Sequence, residues 1–173
     1  MIPFWLANVW LGCSDKGSDS ANIDVSPHWS FIEQDDPRGA WLRVMHPTDA
    51  PEEIWIVGGQ PNQGMVLRNT VGEFHSIPLP DGTPLLNWID GTTGNMWVGG
   101  LNGTILHWNG ADWTDHSLGI EEAIWGLEVT DDSVIVVGGS SRWGGDHGVI
   151  WQFNGETWSA SSTPEEIGYK QLL

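Results

Sequence analysis

Apolar and polar positions alternate along this chain in short runs, each cut off within a few residues by glycine, asparagine, aspartate or proline. That is the pattern of β-strands separated by turns, and few stretches are long enough for a helix. The runs also recur. Ile54-Trp55-Ile56-Val57 leads into Gly58-Gly59, Met96-Trp97-Val98 into Gly99-Gly100, and Val134-Ile135-Val136-Val137 into Gly138-Gly139. The first glycines of these pairs stand 41 and 39 residues apart, the length of one four-stranded unit in a repeating β fold.

A second signature follows each pair. Gly103-Thr104-Ile105-Leu106-His107-Trp108-Asn109-Gly110-Ala111-Asp112-Trp113 is the clearest copy and Gly148-Val149-Ile150-Trp151-Gln152-Phe153-Asn154-Gly155-Glu156-Thr157-Trp158 repeats it. Gly64-Met65-Val66-Leu67, ending in Gly72-Glu73-Phe74, is a worn version. Asn-Gly between two apolar segments predicts a hairpin on a type I′ turn, because both residues accept positive φ. Phe74 to Leu86, Trp113 to Trp125 and Trp29 to Trp41 are each twelve residues, and the second residue of each pair is expected to open a new strand. His28-Trp29-Ser30-Phe31 then reads as an outer strand whose own unit does not precede it, and Gly168-Tyr169-Lys170-Gln171-Leu172-Leu173 as the beginning of another inner strand.

The expected fold is all-β. Residues 28–173 are predicted to form a partial β-propeller of about three complete four-stranded blades, with an N-terminal outer strand and the start of a further blade. A twisted sheet of this kind cannot bury both faces alone, so neighbouring blades cover it. Three blades are too few for a ring. The expectation is therefore a piece of a larger propeller or, if the chain is complete, closure by self-association, with an open three-sheet stack as the plain alternative.

Composition sharpens this picture. There are 13 Trp and 23 Gly but one Tyr and four Phe, so one large structural position is being filled repeatedly by Trp. Six Lys and Arg against 23 Asp and Glu give a net charge of -17, spread along the chain. Such a field repels phosphate backbones, and no nucleic-acid partner is expected. One cysteine, Cys13, excludes an internal disulfide. It ends the apolar run Ile2 to Gly12, too short to span a bilayer, and the polar stretch Ser14 to Ser20 follows at once. This layout is similar to the end of a bacterial lipoprotein signal, which implies lipidation at Cys13 and attachment to a membrane. Two departures are Trp10, where Leu is usual, and the lack of a Lys or Arg before the run. The other reading is a buried or partly ordered N-terminal segment with an inert free cysteine. The division expected is a signal remnant over 1–13, a flexible linker over 14–27 and the β repeats beyond.

The run Trp97 to Trp113 resembles the Trp-rich propeller repeats of secreted bacterial lipoproteins, as in myxobacteria, of the BNR-like and kelch-like kind. Kelch blades share the Gly pair, a following aromatic and a closing Trp. The likeness covers about Trp41 to Trp158. It implies a parent of six to eight blades, exported to the cell envelope or the extracellular space and commonly lipid-anchored, and it implies little about a ligand. The Asp-box of sialidases is a neighbouring pattern, but its defining Ser-x-Asp is absent here.

Candidate chemistry is sparse. Arg38, Arg43, Arg68 and Arg142 fall at unequal positions in their repeats, which argues against a sialidase arginine cluster, and no carboxylate pair is marked by context. His28, His46, His75, His107, His116 and His147 show no zinc spacing, so no metal and no cofactor are expected. His107 is expected to be structural, and Asp90-Gly91-Thr92-Thr93-Gly94-Asn95 to be a turn rather than a calcium loop. One segment departs from the repeat. Between Gly139 and Gly148 the third unit carries six residues more than the second has between Gly100 and Gly103. The insert brings Arg142, Trp143, Asp146 and His147 into a Gly-flanked loop joining the second and third strands, which is expected to share an edge with the blade-to-blade connections. These residue types suit stacking on a sugar or gripping a peptide; the alternative is a tolerated surface insertion. A weaker candidate is the longer loop around Met45 to Pro51 on the opposite edge. The expected function is a non-catalytic exported propeller binding protein or carbohydrate, with a sialidase-like or other glycan-processing fragment as the alternative.

Overall fold

The computed structural model describes residues 39–70, 72–140 and 148–161. They form three four-stranded antiparallel sheets and no helix. The first contains β1 (Ala40–Met45), β2 (Ile54–Gln60), β3 (Gln63–Asn69) and β4 (Phe74–Ser76). The second contains β5 (Leu86–Thr92), β6 (Asn95–Gly100), β7 (Ile105–Trp108) and β8 (Trp113–Asp115), and the third β9 (Ala123–Val129), β10 (Val134–Gly139), β11 (Gly148–Phe153) and β12 (Trp158–Ser161). Within each sheet the strands lie in chain order, so every connection is a hairpin and no sheet borrows a strand from another. Cys13, the segment 28–31 and the segment 168–173 lie outside the described residues.

A bulge on the first strand sets the register of each sheet. Gly58 lies opposite Trp41 and Val57 opposite Arg43, leaving Leu42 as the extra residue. In the second sheet Gly100 faces Leu86 and Gly99 faces Trp88, around Asn87. In the third Gly138 faces Ile124 and Val137 faces Gly126, around Trp125. Each bulge drives the backbone against the facing glycine: a Cβ on Gly58, Gly100 or Gly138 would overlap the carbonyl oxygen of Ala40, Leu85 or Ala123, respectively. The equivalent glycines are therefore Gly58, Gly100 and Gly138, at spacings of 42 and 38 residues. The sequence pairing of Gly58 with Gly99 is one residue out, and Gly99 takes the place that Val57 and Val137 occupy in the flanking sheets. Trp125 likewise is the bulge residue rather than the counterpart of Trp41 and Leu86.

The turns also differ from expectation. Consecutive positive φ angles, 56° at Asn102 and 62° at Gly103, fall between β6 and β7, where Thr104 N–H donates to Leu101 C=O at 3.1 Å. That is the type I′ geometry. At Asn109-Gly110 and Asn154-Gly155 only the glycine has positive φ. There the asparagine acts through its side chain: Asn109 Oδ1 accepts from Ala111 and Asp112 N–H, both at 2.9 Å, and Asn154 Oδ1 from Glu156 and Thr157 N–H at 3.0 and 2.8 Å.

With the register fixed, strand alternation assigns every side chain to one of two faces. The leading face of a sheet looks toward the sheet that follows in the chain, the trailing face toward the one before. Trp55, Val57 and Val66 on the first leading face pack with Ile89, Met96, Val98 and Leu106 on the second trailing face. Trp97 and Ile105 on the second leading face pack with Ile124, Leu127, Val134 and Val136 on the third trailing face. The middle sheet is thus buried on both sides, which is why β6 reads as an apolar run from Met96 to Gly100. Burial of each such side chain stabilises by about 1.5–3 kcal/mol. The first strands sit side by side, β1 against β5 and β5 against β9.

Candidate functional site

Antiparallel order sends the β2–β3, β6–β7 and β10–β11 turns to the same edge as the connections between sheets. Backbone hydrogen bonds tie that edge together in a repeated way. Gly64 N–H donates to Thr83 C=O at 2.8 Å, and its counterpart Gly103 N–H donates to Glu122 C=O at 2.6 Å. Leu101 N–H to Leu85 C=O and Leu118 N–H to Gly103 C=O, both 3.0 Å, complete the lacing. Gly139 pairs with Gly148 across the β10–β11 hairpin, so the insertion leaves the third sheet at this edge. Arg142, Trp143, Asp146 and His147 themselves lie outside the described residues.

The weaker candidate loop, on the opposite edge, is a clasp between sheets. Its turns close on Ala50 N–H to Pro47 C=O and Glu53 N–H to Ala50 C=O, with Ala50 buried. Asp49 Oδ1 accepts from Thr93 N–H of the second sheet at 3.0 Å. Asp90, in the stretch that looks calcium-like, makes the matching link one sheet on: its Oδ2 accepts from Val129 N–H at 2.8 Å. Thr92 pairs with Asn95, so the expected turn is a closed hairpin. Asn87, the middle bulge residue, donates through Nδ2 to Ile124 C=O at 3.0 Å.

One polar device recurs on the leading faces, and the misaligned glycine pairs concealed it from sequence reading. Trp55 Nε1 donates to Glu53 Oε2 at 3.2 Å, while Arg68, opposite Trp55, donates to both Glu53 oxygens at 3.0 and 2.6 Å, its guanidinium 5.1 Å from the indole centroid. In the second sheet Trp97 Nε1 and His107 Nε2 both donate to Asn95 Oδ1, at 2.9 and 2.8 Å, and His107 stacks on the indole at 4.3 Å. The third sheet has Ser133, Ile135 and Gln152 at these positions. His116, Phe153 and Trp158 extend the ring cluster around Trp97, with centroids at 4.8, 5.6 and 6.3 Å.

Burial, and then the neighbouring His116, hold His107 below the ordinary histidine range. Burial does the same to His116 against the opposing pull of Asp115. Hydrogen bonds from Ser117 hold Asp115 below the usual carboxylate range. Burial thus favours the neutral form of both imidazoles where two sheets meet. Among the described residues no three His, Cys, Asp or Glu side chains converge on a metal position. The indole N–H groups of Trp108, Trp113 and Trp158 are buried without a partner, so these tryptophans serve through ring volume. No protein-family model matches the chain, and neither a curated protein nor a solved structure matches it.

Proposed function

We propose that this chain is part of an exported β-propeller, of the Trp-rich BNR-like and kelch-like kind, that binds protein or carbohydrate at the cell envelope without catalysis. Two facts support the propeller arrangement: successive sheets meet through the same pair of faces, and their first strands lie side by side. The observation that carries the binding function is the position of the β10–β11 insertion. It lengthens the hairpin of the third sheet at the edge laced to the inter-sheet connections. Its sequence carries a Trp suited to stacking, an Arg and an Asp suited to hydrogen bonding, and a His, in Trp143, Arg142, Asp146 and His147. Lipidation at Cys13 would attach the chain to a membrane, and the net charge of -17 disfavours nucleic acid.

The test is a screen of the full chain against glycan and peptide arrays, followed by titration of each hit with wild type and the Arg142→Ala/Trp143→Ala variant. Central Trp and Arg anchors are worth about 2 kcal/mol or more, so affinity should fall at least about thirtyfold with the melting temperature unchanged. Hits that bind the variant equally well would remove the insertion from the function. Turnover of a fluorogenic sialoside or other glycoside would replace the binding reading with a glycan-processing one.

A further inference from the structure

The chain contains three Asn-Gly steps, Asn102-Gly103, Asn109-Gly110 and Asn154-Gly155, and the fold treats them in two ways. An asparagine can lose its amide nitrogen when the backbone nitrogen of the next residue attacks its side-chain carbonyl carbon. Glycine in the next position leaves that approach open, since it has no side chain. In a folded chain the attack needs a free glycine N–H and an amide lying over the peptide that follows it. It is helped by fixed donors at the oxygen on which negative charge develops.

Asn102-Gly103 lacks the first requirement. Its two residues form the left-handed turn between β6 and β7, where Gly103 is buried and its N–H donates to Glu122 C=O at 2.6 Å. That nitrogen is engaged by the connection to the third sheet. The other two steps are exposed at both residues. Asn109 Oδ1 accepts from Ala111 and Asp112 N–H, both at 2.9 Å, and Asn154 Oδ1 from Glu156 and Thr157 N–H at 3.0 and 2.8 Å. These bonds fold each amide back over its own Asn–Gly peptide and set its oxygen between two backbone donors. The turns close on Asn109 N–H to Asp112 C=O and Asn154 N–H to Thr157 C=O, at 3.2 and 3.3 Å. Among the described residues, Gly110 and Gly155 N–H donate to no acceptor. Asn69 supplies a contrast within the first sheet: its Oδ1 accepts from Gly72 N–H at 2.9 Å, but β-branched Thr70 follows it.

We propose that Asn109 and Asn154 are sites of spontaneous deamidation in the folded protein and that Asn102 and Asn69 are protected. Hydroxide removes the Gly110 amide proton and the nitrogen attacks Asn109 Cγ, forming the new N–Cγ bond, while the charge gathered on Oδ1 is held by Ala111 and Asp112 N–H. The Cγ–Nδ2 bond then breaks and Nδ2 leaves as ammonia, taking a proton from water and leaving a five-membered imide. Water opens the imide at either carbonyl, giving aspartate or isoaspartate. Asn154, Gly155, Glu156 and Thr157 take the same parts in the third sheet. Each conversion adds one negative charge. Aspartate keeps the oxygens that the two turn N–H groups need, whereas isoaspartate lengthens the backbone by a methylene beside the Trp108–Trp113 or Phe153–Trp158 pair. Both turns lie on the edge opposite the β10–β11 insertion, so this chemistry is independent of the proposed binding edge.

The test is to age the full chain at mildly alkaline pH in water enriched in heavy oxygen, which marks every aspartate formed from asparagine, and to map the peptides by mass spectrometry. A parallel sample is aged in urea. In the folded chain Asn109 and Asn154 should each convert at least about tenfold faster than Asn102, a modest factor for donors aligned on a developing oxyanion. Asn69 should stay unconverted. In urea the three Asn-Gly steps should convert at similar rates, because they then differ only in the residue after glycine. Conversion of Asn102 as fast as the other two in the folded chain overturns the proposal. So does a difference that persists in urea, or folded Asn109 and Asn154 that stay intact while the unfolded chain converts.

Discussion

Gly99 is where the stacking of sheets can be measured most sharply. Its equivalents in the flanking sheets are Val57 and Val137, yet a Cβ here would lie 2.6 Å from Ile124 Cγ2, 3.2 Å from its Cβ and 3.3 Å from Leu127 Cδ2. Its φ is not in the left-handed region, so the constraint is the room taken by the third sheet and not the local backbone. Two effects compete in Gly99→Ala. Replacing a strand glycine removes an entropic cost of about 0.5–1 kcal/mol. Against that, ordinary carbon contacts are about 3.5–4.0 Å, so fully buried Ile124 must retreat by about 1 Å, an overpacking cost of about 1–3 kcal/mol. The net expectation is a loss of about 1–2 kcal/mol. Ile124→Ala alone should cost about 2–5 kcal/mol through the cavity it leaves. In the double variant the new methyl fills part of that cavity, so the pair should cost about 1–2 kcal/mol less than the sum of the singles. Urea unfolding of the four proteins measures this, and thermal melts should follow at about 2–4 °C per kcal/mol. Additivity within about 0.5 kcal/mol, or stabilisation by Gly99→Ala, would mean that Gly99 does not face Ile124.

Other expectations follow from the same geometry. His107 and His116 have folded pKa values below the free histidine value, so their neutral forms contribute stability above about pH 6.5 that is lost as pH falls through the lowered folded values; Asp115 loses its contribution only further down, below the free carboxylate range. Denaturation midpoints should therefore decline in two stages on acidification, and His107→Gln/His116→Gln should abolish the first stage; a midpoint that follows the wild-type curve in the double variant contradicts this. Asn109→Ala and Asn154→Ala each free two turn N–H groups and should cost about 1–2 kcal/mol in urea unfolding, whereas a turn held by backbone φ alone would lose almost nothing. Trp97→Phe should cost more than Trp113→Phe, because only Trp97 loses an indole hydrogen bond; equal losses would place the energy in ring volume alone.

The sequence carried the repeat, the hairpins and the order of strands because these depend on local signals: apolar alternation, Gly and Asn-Gly turns, and an aromatic closing each unit. The bulges were not legible. An extra residue at Leu42, Asn87 or Trp125 leaves no compositional mark, and without it the glycine that faces the bulge in the middle sheet, Gly100, cannot be told from its neighbour Gly99. The additional glycine at 99 answers to Ile124 of another sheet, a contact that no local pattern reports. The same slip hid the kinship of Glu53-Trp55-Arg68 with Asn95-Trp97-His107, which appears only once cross-strand partners are known. The Asn-Gly hairpins were right for a different reason than positive φ, since Asn109 and Asn154 work through their amide oxygens. On the candidate site, the sequence singled out the insertion between Gly139 and Gly148 by length and residue type, and the pairing of these two glycines anchors its ends at the edge of the inter-sheet connections.

The most direct measurement is a set of proton nuclear Overhauser contacts from the middle sheet, where neighbouring residues of β6 are assigned to opposite cores. The stacking predicts contacts from the Gly99 Hα protons to the Ile124 methyls and from the Trp97 indole to the Phe153 ring, together with contacts from Met96 and Val98 to Trp55. If Gly99 and Trp97 instead contacted Trp55 and Val57, β6 would be turned over by one residue, and the repeated pair of faces by which successive sheets stack would be wrong.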